Sequence, residues 1–217
     1  MEDVLEVYER PYNPSRPVVC MDEASRQLLA ECRTRYRLPD GSTRIDSEYV
    51  RHGEQKLLLA TEPLGNWRSV AVTATRTAVD WARFVTTTII DRYPAAEKII
   101  LVCDNLNTHT PASFYAAFDP GTARQLVNRL EIHYTPKHGS WLDIAEIELS
   151  ALQRQCLGNR RIPTADQLAT EVAAWVKQRN EAQATVDWQF TTADARTKLK
   201  RLYPTLIVGW GTSAKIG

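Results

Sequence analysis

Two aspartates follow short apolar runs in this sequence, and their positions suggest metal chemistry. Asp22 follows Val-Val-Cys-Met, and Asp104 follows Ile-Ile-Leu-Val-Cys. Such runs favour buried strands. If the two strands are parallel neighbours, both carboxylates lie at the edge of the sheet where open α/β folds place their ligand sites. Adjacent carboxylates repel each other, and a divalent cation such as Mg²⁺ or Mn²⁺, which prefers oxygen ligands, would relieve that repulsion.

A third carboxylate can come from the helix predicted after Ser140. Asp143, Glu146 and Glu148 all lie near its start. Ser140 and Asp143 have the spacing of a capping box, which offers Asp143 a structural role. Glu146 and Glu148 flank the apolar stripe on opposite sides, roughly 160° apart, so only one of them can face the cleft. The spacing does not decide between them, because a solvated face of the helix explains either one.

The composition restricts the classes of protein to which the chain can belong. It has 217 residues, of which 43% are hydrophobic, enough for one sizeable core. It contains no apolar run long enough to span a membrane and no signal-peptide pattern at its start. Lys and Arg number 27 against 26 Asp and Glu, a weaker positive balance than most independent nucleic-acid binders have. The scattered cysteines predict reduced thiols in a cytoplasmic protein and argue against zinc.

The elements that must position these carboxylates surround one predicted sheet. Residues 1–16 are charged and contain proline, which indicates an arm or connector. The strand before Asp22 is expected to end near that residue, and a hairpin with its turn at Pro63–Asn66 follows later. Thr110 and Pro111 fit the cap and the first position of a helix after Asp104. Strands come first and helices and strands then alternate, which predicts an α/β arrangement.

Three segments together resemble the signature motifs of DDE-type transposases, in particular insertion-sequence transposases related to the mariner superfamily. The segments are "VVCMDEAS", "LVCDNLNTHTP" and "YTPKHGSWLDIAEIELS". The resemblance extends over residues 17–203 and implies one RNase H-like catalytic domain there, followed by a tail at 204–217. It implies an α/β fold with a mixed five-stranded sheet, in which three strands are antiparallel and two are parallel, with helices on both faces.

The resemblance also implies a catalytic trio. Asp22, Asp104 and Glu146 would be the catalytic residues and the ligands of two Mg²⁺ or Mn²⁺ ions. A pair of such ions can activate the attacking oxygen and stabilise the leaving oxygen of an in-line displacement. Glu148 is then not a ligand, and Glu148→Gln is expected to leave DNA nicking intact.

The activity implied by the resemblance is cleavage of transposon ends, followed by transfer of the 3′-hydroxyl into target DNA at TA dinucleotides. The partners would be double-stranded DNA, both transposon ends and target, and a second copy of the chain in a synaptic homodimer. The expected location is the bacterial cytoplasm, at the nucleoid when DNA is bound, with no membrane association.

Further residues are candidates for supporting roles. Glu23, Asn105 and His109 lie beside the two aspartates in sequence and could orient ligands or contact the scissile phosphate. The candidates for contact with the DNA backbone are Lys137, His138, Arg154, Arg160 and Arg161.

Two departures from the family pattern leave alternatives open. Residue 143 is Asp where relatives usually have Asn, and no helix-turn-helix region precedes the catalytic segment, so a fragment or a truncated gene product is expected. One alternative is an RNase H-like nuclease or resolvase, with a fourth carboxylate from Asp143, Asp187 or Asp194. Another is a transposase remnant without activity.

Overall fold

The computed structural model describes residues 1–32, 36–37, 43–44, 48–137, 139–158, 160–186 and 188–203, with only the backbone at 36, 37, 43, 44 and 140. The predicted tail at 204–217 and the candidate residues His138 and Asp187 therefore lie outside the described part of the chain. No helix in that part is both long and apolar enough to cross a membrane.

Five strands form one mixed sheet, and two short strands form a separate pair. The strands of the sheet are β1 (Val18–Glu31), β4 (Tyr49–Glu62), β5 (Trp67–Thr73), β6 (Ile99–Cys103) and β7 (Leu130–Tyr134), and the separate pair is formed by β2 (Tyr36–Arg37) and β3 (Thr43–Arg44). The order in the sheet is β5-β4-β1-β6-β7. The antiparallel half contains β1, β4 and β5, and the parallel half joins β1 to β6 and β6 to β7. This confirms the predicted sheet.

The strand that carries Asp22 is longer than the sequence predicts. We expected it to end near Asp22, but β1 continues to Glu31. The reason is its antiparallel neighbour, because β4 pairs with β1 at Asp22 and onward as far as Glu31. The backbone groups beyond Asp22 therefore keep hydrogen-bond partners on one side, although β6 ends at Cys103 on the other.

Helices cover both faces of the sheet, as predicted. The helices are α1 (Glu2–Tyr8), α2 (Ala78–Phe84), α3 (Pro111–Ala117), α4 (Pro120–Asn128), α5 (Ile144–Leu152), α6 (Ala165–Glu181) and α7 (Thr192–Lys198). The residues Val85–Ile90 and Gln153–Leu157 extend α2 and α5 as π-helical turns. Pro111 is the first residue of α3, and Thr110 occupies the cap position without a side-chain hydrogen bond.

Successive side chains of β1 enter different cores, because neighbouring residues of a strand point to opposite faces. Val19 and Met21 pack with residues of α2, α3 and α4. Cys20 packs instead with residues of α1, α5 and α7. Asp22 lies two residues after Cys20 in the same strand, so its side chain points to the same face of the sheet, the face that α5 covers.

The predicted arm at residues 1–16 includes a helix that belongs to this second core. Val4, Leu5 and Val7 of α1 are fully buried. They pack in the same cluster as Cys20 and the α5 residue Ala145. The beginning of the chain thus contributes to the support of the strand that carries Asp22.

Candidate active site

The register of the parallel strands brings Asp22 and Asp104 to the same level of the sheet. Cys20 of β1 pairs with Val102 of β6, and each aspartate comes two residues later on its own chain segment. Asp104 is the first residue after β6. The register therefore sets the two aspartates at the same edge of the sheet.

Glu146 reaches the same cleft from α5. It lies in the first turn of that helix. A cavity of about 470 Å³ is lined by both Asp22 and Glu146. The stripe predicted for this helix is buried, as expected, and holds it against the sheet; its residues are Ala145, Leu149, Leu152 and Cys156.

The charges of the trio act on one another. Burial raises the pKa of Asp22 to about 6; the backbone N–H of Glu23 opposes this shift, and the negative charges of Asp104 and Glu146 add to it. The Glu23 N–H lies 2.7 Å from Asp22 Oδ1. A carboxylate whose pKa is raised by two other carboxylates marks a site where like charges have been brought together.

His109 connects Asp104 to Glu23. Its ring is fully buried, with Nδ1 2.5 Å from Asp104 Oδ1 and Nε2 3.0 Å from Glu23 Oε1. Burial alone lowers the pKa of His109, but the contacts with Asp104 and Glu23 outweigh it and raise the pKa to about 9. At neutral pH the ring is therefore a cation that both carboxylates stabilise.

The rest of the His109 environment holds the ring in place. Trp81 of α2 stacks on it with ring centroids 5.3 Å apart. The Tyr134 hydroxyl donates a hydrogen bond of 2.8 Å to the His109 carbonyl oxygen. Asn105, the third supporting candidate, is exposed next to Asp104.

The chemistry of the trio fits a hard divalent cation, although the ligands are not already arranged around one. Within the described residues, no three His, Cys, Asp or Glu side chains form a group that could hold one metal ion. All three candidate ligands nevertheless supply carboxylate oxygens, which Mg²⁺ and Mn²⁺ prefer. Burial is the main cause of the raised pKa of Asp22, and the repulsion from Asp104 and Glu146 that adds to it is the kind that a divalent cation removes.

Asp143 has a different structural role from the one that its spacing suggested. It is not the third residue of a capping box with Ser140 but is itself the N-cap of α5. Its Oδ1 accepts a hydrogen bond of 2.9 Å from the Ala145 N–H. Burial, first of all, and then the charge of Asp22 raise the pKa of Asp143 well above its ordinary value. Its Oδ2 atom is buried without a hydrogen-bond partner.

The sequence analysis allowed Glu148 to lie on a solvated face of α5, but the structure does not place it there. Its side chain is buried between two arginines, with Oε2 3.2 Å from Arg68 Nε and Oε1 2.9 Å from Arg179 Nη2. Because Glu148→Gln would leave these guanidinium groups without their counter-charge, it is not a neutral control for catalysis.

The basic candidates fall into different environments. Arg154 is exposed and lines the cavity that contains Asp22 and Glu146. Lys137 is exposed in the segment before α5. Arg160 pairs with Glu171 of α6, with Nη1 2.9 Å from Oε2. Arg161 lies 2.5 Å from Glu31 of β1. Only Arg154 of these four lines the cleft beside the carboxylates.

Arg76 is a residue of this region that the sequence analysis did not identify. It precedes the cap of α2, and its Nη1 lies 3.5 Å from Glu23 Oε2, with 48% of its side chain exposed. The sequence does not indicate this contact, because Arg76 is far from Asp22 and Glu23 along the chain and only the packing of α2 against β1 brings it to Glu23.

Comparisons with solved structures show the same fold in the Mos1 mariner transposase. Its paired-end complex with Mn matches with 16% identity and a TM-score of 0.57, covering 83% of this chain and 54% of that one. Its strand transfer complex matches with 15% identity and a TM-score of 0.54, covering 83% and 56%. Its paired-end complex with the left transposon end gives 14% identity and a TM-score of 0.56, covering 84% and 56%. The predicted RNase H-like fold is thereby confirmed, and this chain spans about half the length of these relatives.

A family model identifies the chain more directly than these distant structures do. Comparison with curated proteins finds no similar sequence. The model for the DDE superfamily endonuclease domain matches residues 17–169, which include all three carboxylates of the trio and α5. The chain therefore belongs to the DDE superfamily of endonucleases.

Proposed function

We propose that this chain is the catalytic domain of a DNA transposase, with Asp22, Asp104 and Glu146 as its catalytic residues. One observation carries the proposal: the β1–β6 register sets the two aspartates level, and Glu146 lines the same cavity as Asp22. Family membership and the fold shared with Mos1 support it.

The trio would hold two Mg²⁺ or Mn²⁺ ions through carboxylate oxygens. Bound ions would lower the pKa of the attacking hydroxyl and neutralise charge on the phosphate. Glu23 and His109 would hold the Asp104 carboxylate in its ligating orientation through the contacts described above. A Mos1 structure with Mn supports a divalent cation here as well.

The proposed reaction has two parts. Water would hydrolyse a phosphodiester at the transposon end and free its 3′-hydroxyl. That hydroxyl would then attack a phosphodiester of the target at a TA dinucleotide, forming a new phosphodiester and displacing the 3′-hydroxyl of the target strand. The substrates are double-stranded transposon ends and target DNA, and a second copy of the chain would complete the synaptic complex. Mos1 structures with paired ends and after strand transfer support this assignment. The cytoplasm remains the proposed location.

A second candidate is an RNase H-like nuclease that uses a fourth carboxylate. The observation in its favour is Asp143, whose pKa is raised first by burial and then by the charges of Asp22, Asp104 and Glu146. Asp194, another candidate fourth carboxylate, forms the capping box of α7 with Thr191 and lies 2.7 Å from Lys198. The transposase proposal requires strand transfer, which a nuclease does not perform.

The test is Mn²⁺-dependent nicking of plasmid DNA, followed by a strand-transfer assay with precut terminal-repeat DNA. Asp104→Asn should abolish both activities, because it removes the negative charge that would bind the metal ions and that faces His109. Glu181→Gln is the matched control, since this glutamate lies on the exposed face of α6 with 67% of its side chain accessible. Nicking that survives Asp104→Asn would refute the proposed trio, and nicking without strand transfer would favour the nuclease.

A further inference from the structure

The catalytic helix carries a buried ion cluster on the side away from the proposed metal site. Glu148 is fully buried and contacts Arg68 of β5 and Arg179 of α6. Arg179 approaches it with two donors, Nε 3.2 Å from Oε2 and Nη2 2.9 Å from Oε1. These three residues form the Glu148 clamp.

The clamp is itself anchored to the backbone. The Arg68 side chain is buried and donates to Asn180 Oδ1 at 3.2 Å and to the carbonyl oxygen of Ala184. Asn180 also bonds the Arg68 backbone in both directions, at 3.0 Å and 2.9 Å. These hydrogen bonds fix the position of the Arg68 guanidinium relative to α6 and the sheet, independently of its contact with Glu148.

A fixed partner for Glu148 constrains the rotation of α5 about its axis. Residues two apart on a helix differ in direction by about 200°. When Glu148 is held toward Arg68 on β5, Glu146 must face the other way, toward β1 and Asp22. The apolar stripe of α5 can slide or rotate slightly against the sheet, whereas a bidentate arginine contact has a defined direction.

We propose that the Glu148 clamp is a positioning device that sets the rotation of α5 and so places the Glu146 carboxylate for metal binding. The inference rests on the proposed function of Glu146. Buried ion clusters often contribute little net stability compared with apolar residues, and their best-supported role is to fix one arrangement among several. In this proposal the clamp residues act through Glu146 and are positioning residues rather than metal ligands.

The test measures Mn²⁺ binding in the absence of DNA, by electron paramagnetic resonance of free Mn²⁺, together with thermal unfolding. In Arg68→Met/Glu148→Leu/Arg179→Met, apolar side chains of similar size replace the whole clamp without leaving an unpaired charge. We expect the melting temperature to stay at or above that of the wild type. We expect the dissociation constant for Mn²⁺ to rise about tenfold or more, as when an outer-shell contact is lost.

Arg179→Gln is the milder second variant. It removes the partly exposed guanidinium of the clamp and leaves the charge of Arg68 to neutralise Glu148. We expect it to weaken Mn²⁺ binding severalfold. Arg196→Gln is its matched control, since Arg196 makes a bidentate pair with Glu2, both contacts 2.8 Å, far along the chain from α5. The control should bind Mn²⁺ like the wild type.

The outcomes separate the clamp from the proposed function. If the triple variant or Arg179→Gln is folded and binds Mn²⁺ with wild-type affinity, the proposed positioning role of the clamp is wrong. If the triple variant does not fold, the Mn²⁺ affinity of Arg179→Gln alone tests the positioning role of the clamp. A wild type that binds no more Mn²⁺ than Asp104→Asn would instead overturn the proposed metal site.

Discussion

At the scale of single residues, the buried carboxyl group of Asp143 is costly beside the proposed ligands. It is 2% exposed, and one of its oxygens caps α5 while the other has no hydrogen-bond partner. Burial and the neighbouring carboxylates raise its pKa above the ordinary value of 3.8. The folded state therefore holds the proton more tightly than the unfolded state, so this residue lowers stability increasingly as the pH rises above that value.

Asp143→Asn should stabilise the metal-free protein at pH 7 by about 1–3 kcal/mol, because asparagine neither buries a charge nor has to take up a proton on folding. Asparagine keeps the capping oxygen and removes the charge. The gain should fade below about pH 4, where the aspartate is protonated in both states. Chemical unfolding in the presence of a chelator at several pH values measures this.

The control for that experiment is Asp119→Asn. Asp119 caps α4 by accepting a hydrogen bond from the Thr122 N–H at 3.0 Å. Its pKa is lowered by the Thr122 side chain and then by that backbone N–H. Removing its charge should therefore not stabilise the protein at pH 7. A similar gain in both variants would mean that net charge, rather than the burial of Asp143, is responsible.

At the scale of elements, the cleft depends on where α5 and its π-helical continuation lie. Arg154 belongs to that continuation and lines the cavity next to Glu146. Arg160 follows it, but its guanidinium faces Glu171 of α6 and the Cys156 carbonyl oxygen. Of these two candidates for phosphate contact, one faces the cleft and the other is neutralised by an acidic partner.

Arg154→Ala should weaken DNA binding at low salt and reduce the slope of log affinity against log salt by about 1, as expected for the loss of one phosphate contact. Arg160→Ala should change that slope less, because the arginine already has a carboxylate partner. Fluorescence anisotropy with terminal-repeat DNA and Ca²⁺, across a series of salt concentrations, measures both variants. Equal slopes for Arg154→Ala and the wild type would remove Arg154 from the DNA-binding surface.

At the scale of the whole molecule, the two ends of the described chain complete the core beneath β1 and β6, the strands that lead to Asp22 and Asp104. Leu5 of α1 and Ala195 of α7 are fully buried in the cluster that contains Cys20 and Val102. Tyr8 donates a hydrogen bond of 2.8 Å to the Leu142 carbonyl oxygen just before α5. The first helix therefore supports both the strand with Asp22 and the segment that leads to Glu146.

Leu5→Ala should lower the free energy of unfolding by about 2–5 kcal/mol, since it leaves a cavity in a closed core. Glu6→Ala, on the exposed side of the same helix, should change it by about 0.5 kcal/mol at most. Urea denaturation followed by circular dichroism compares the two. A small effect of Leu5→Ala would show that α1 is a peripheral arm, as its composition first indicated.

The sequence by itself determined the local features of this protein. The apolar runs before Asp22 and Asp104, the turn at Pro63–Asn66 and the stripe on α5 depend on nearby residues, and the structure has each of them. The trio of carboxylates also needed the family motifs, because spacing alone left Glu146 and Glu148 equivalent.

Only the tertiary structure decided which partners meet over long distances along the chain. β1 continues beyond Asp22 because β4 pairs with it, and α1 is buried because α5 and α7 offer it an apolar surface. Glu148 is buried because Arg68 of β5 and Arg179 of α6 supply the charges that pair with it. Such contacts depend on the relative placement of whole elements, which local periodicity and propensity do not specify.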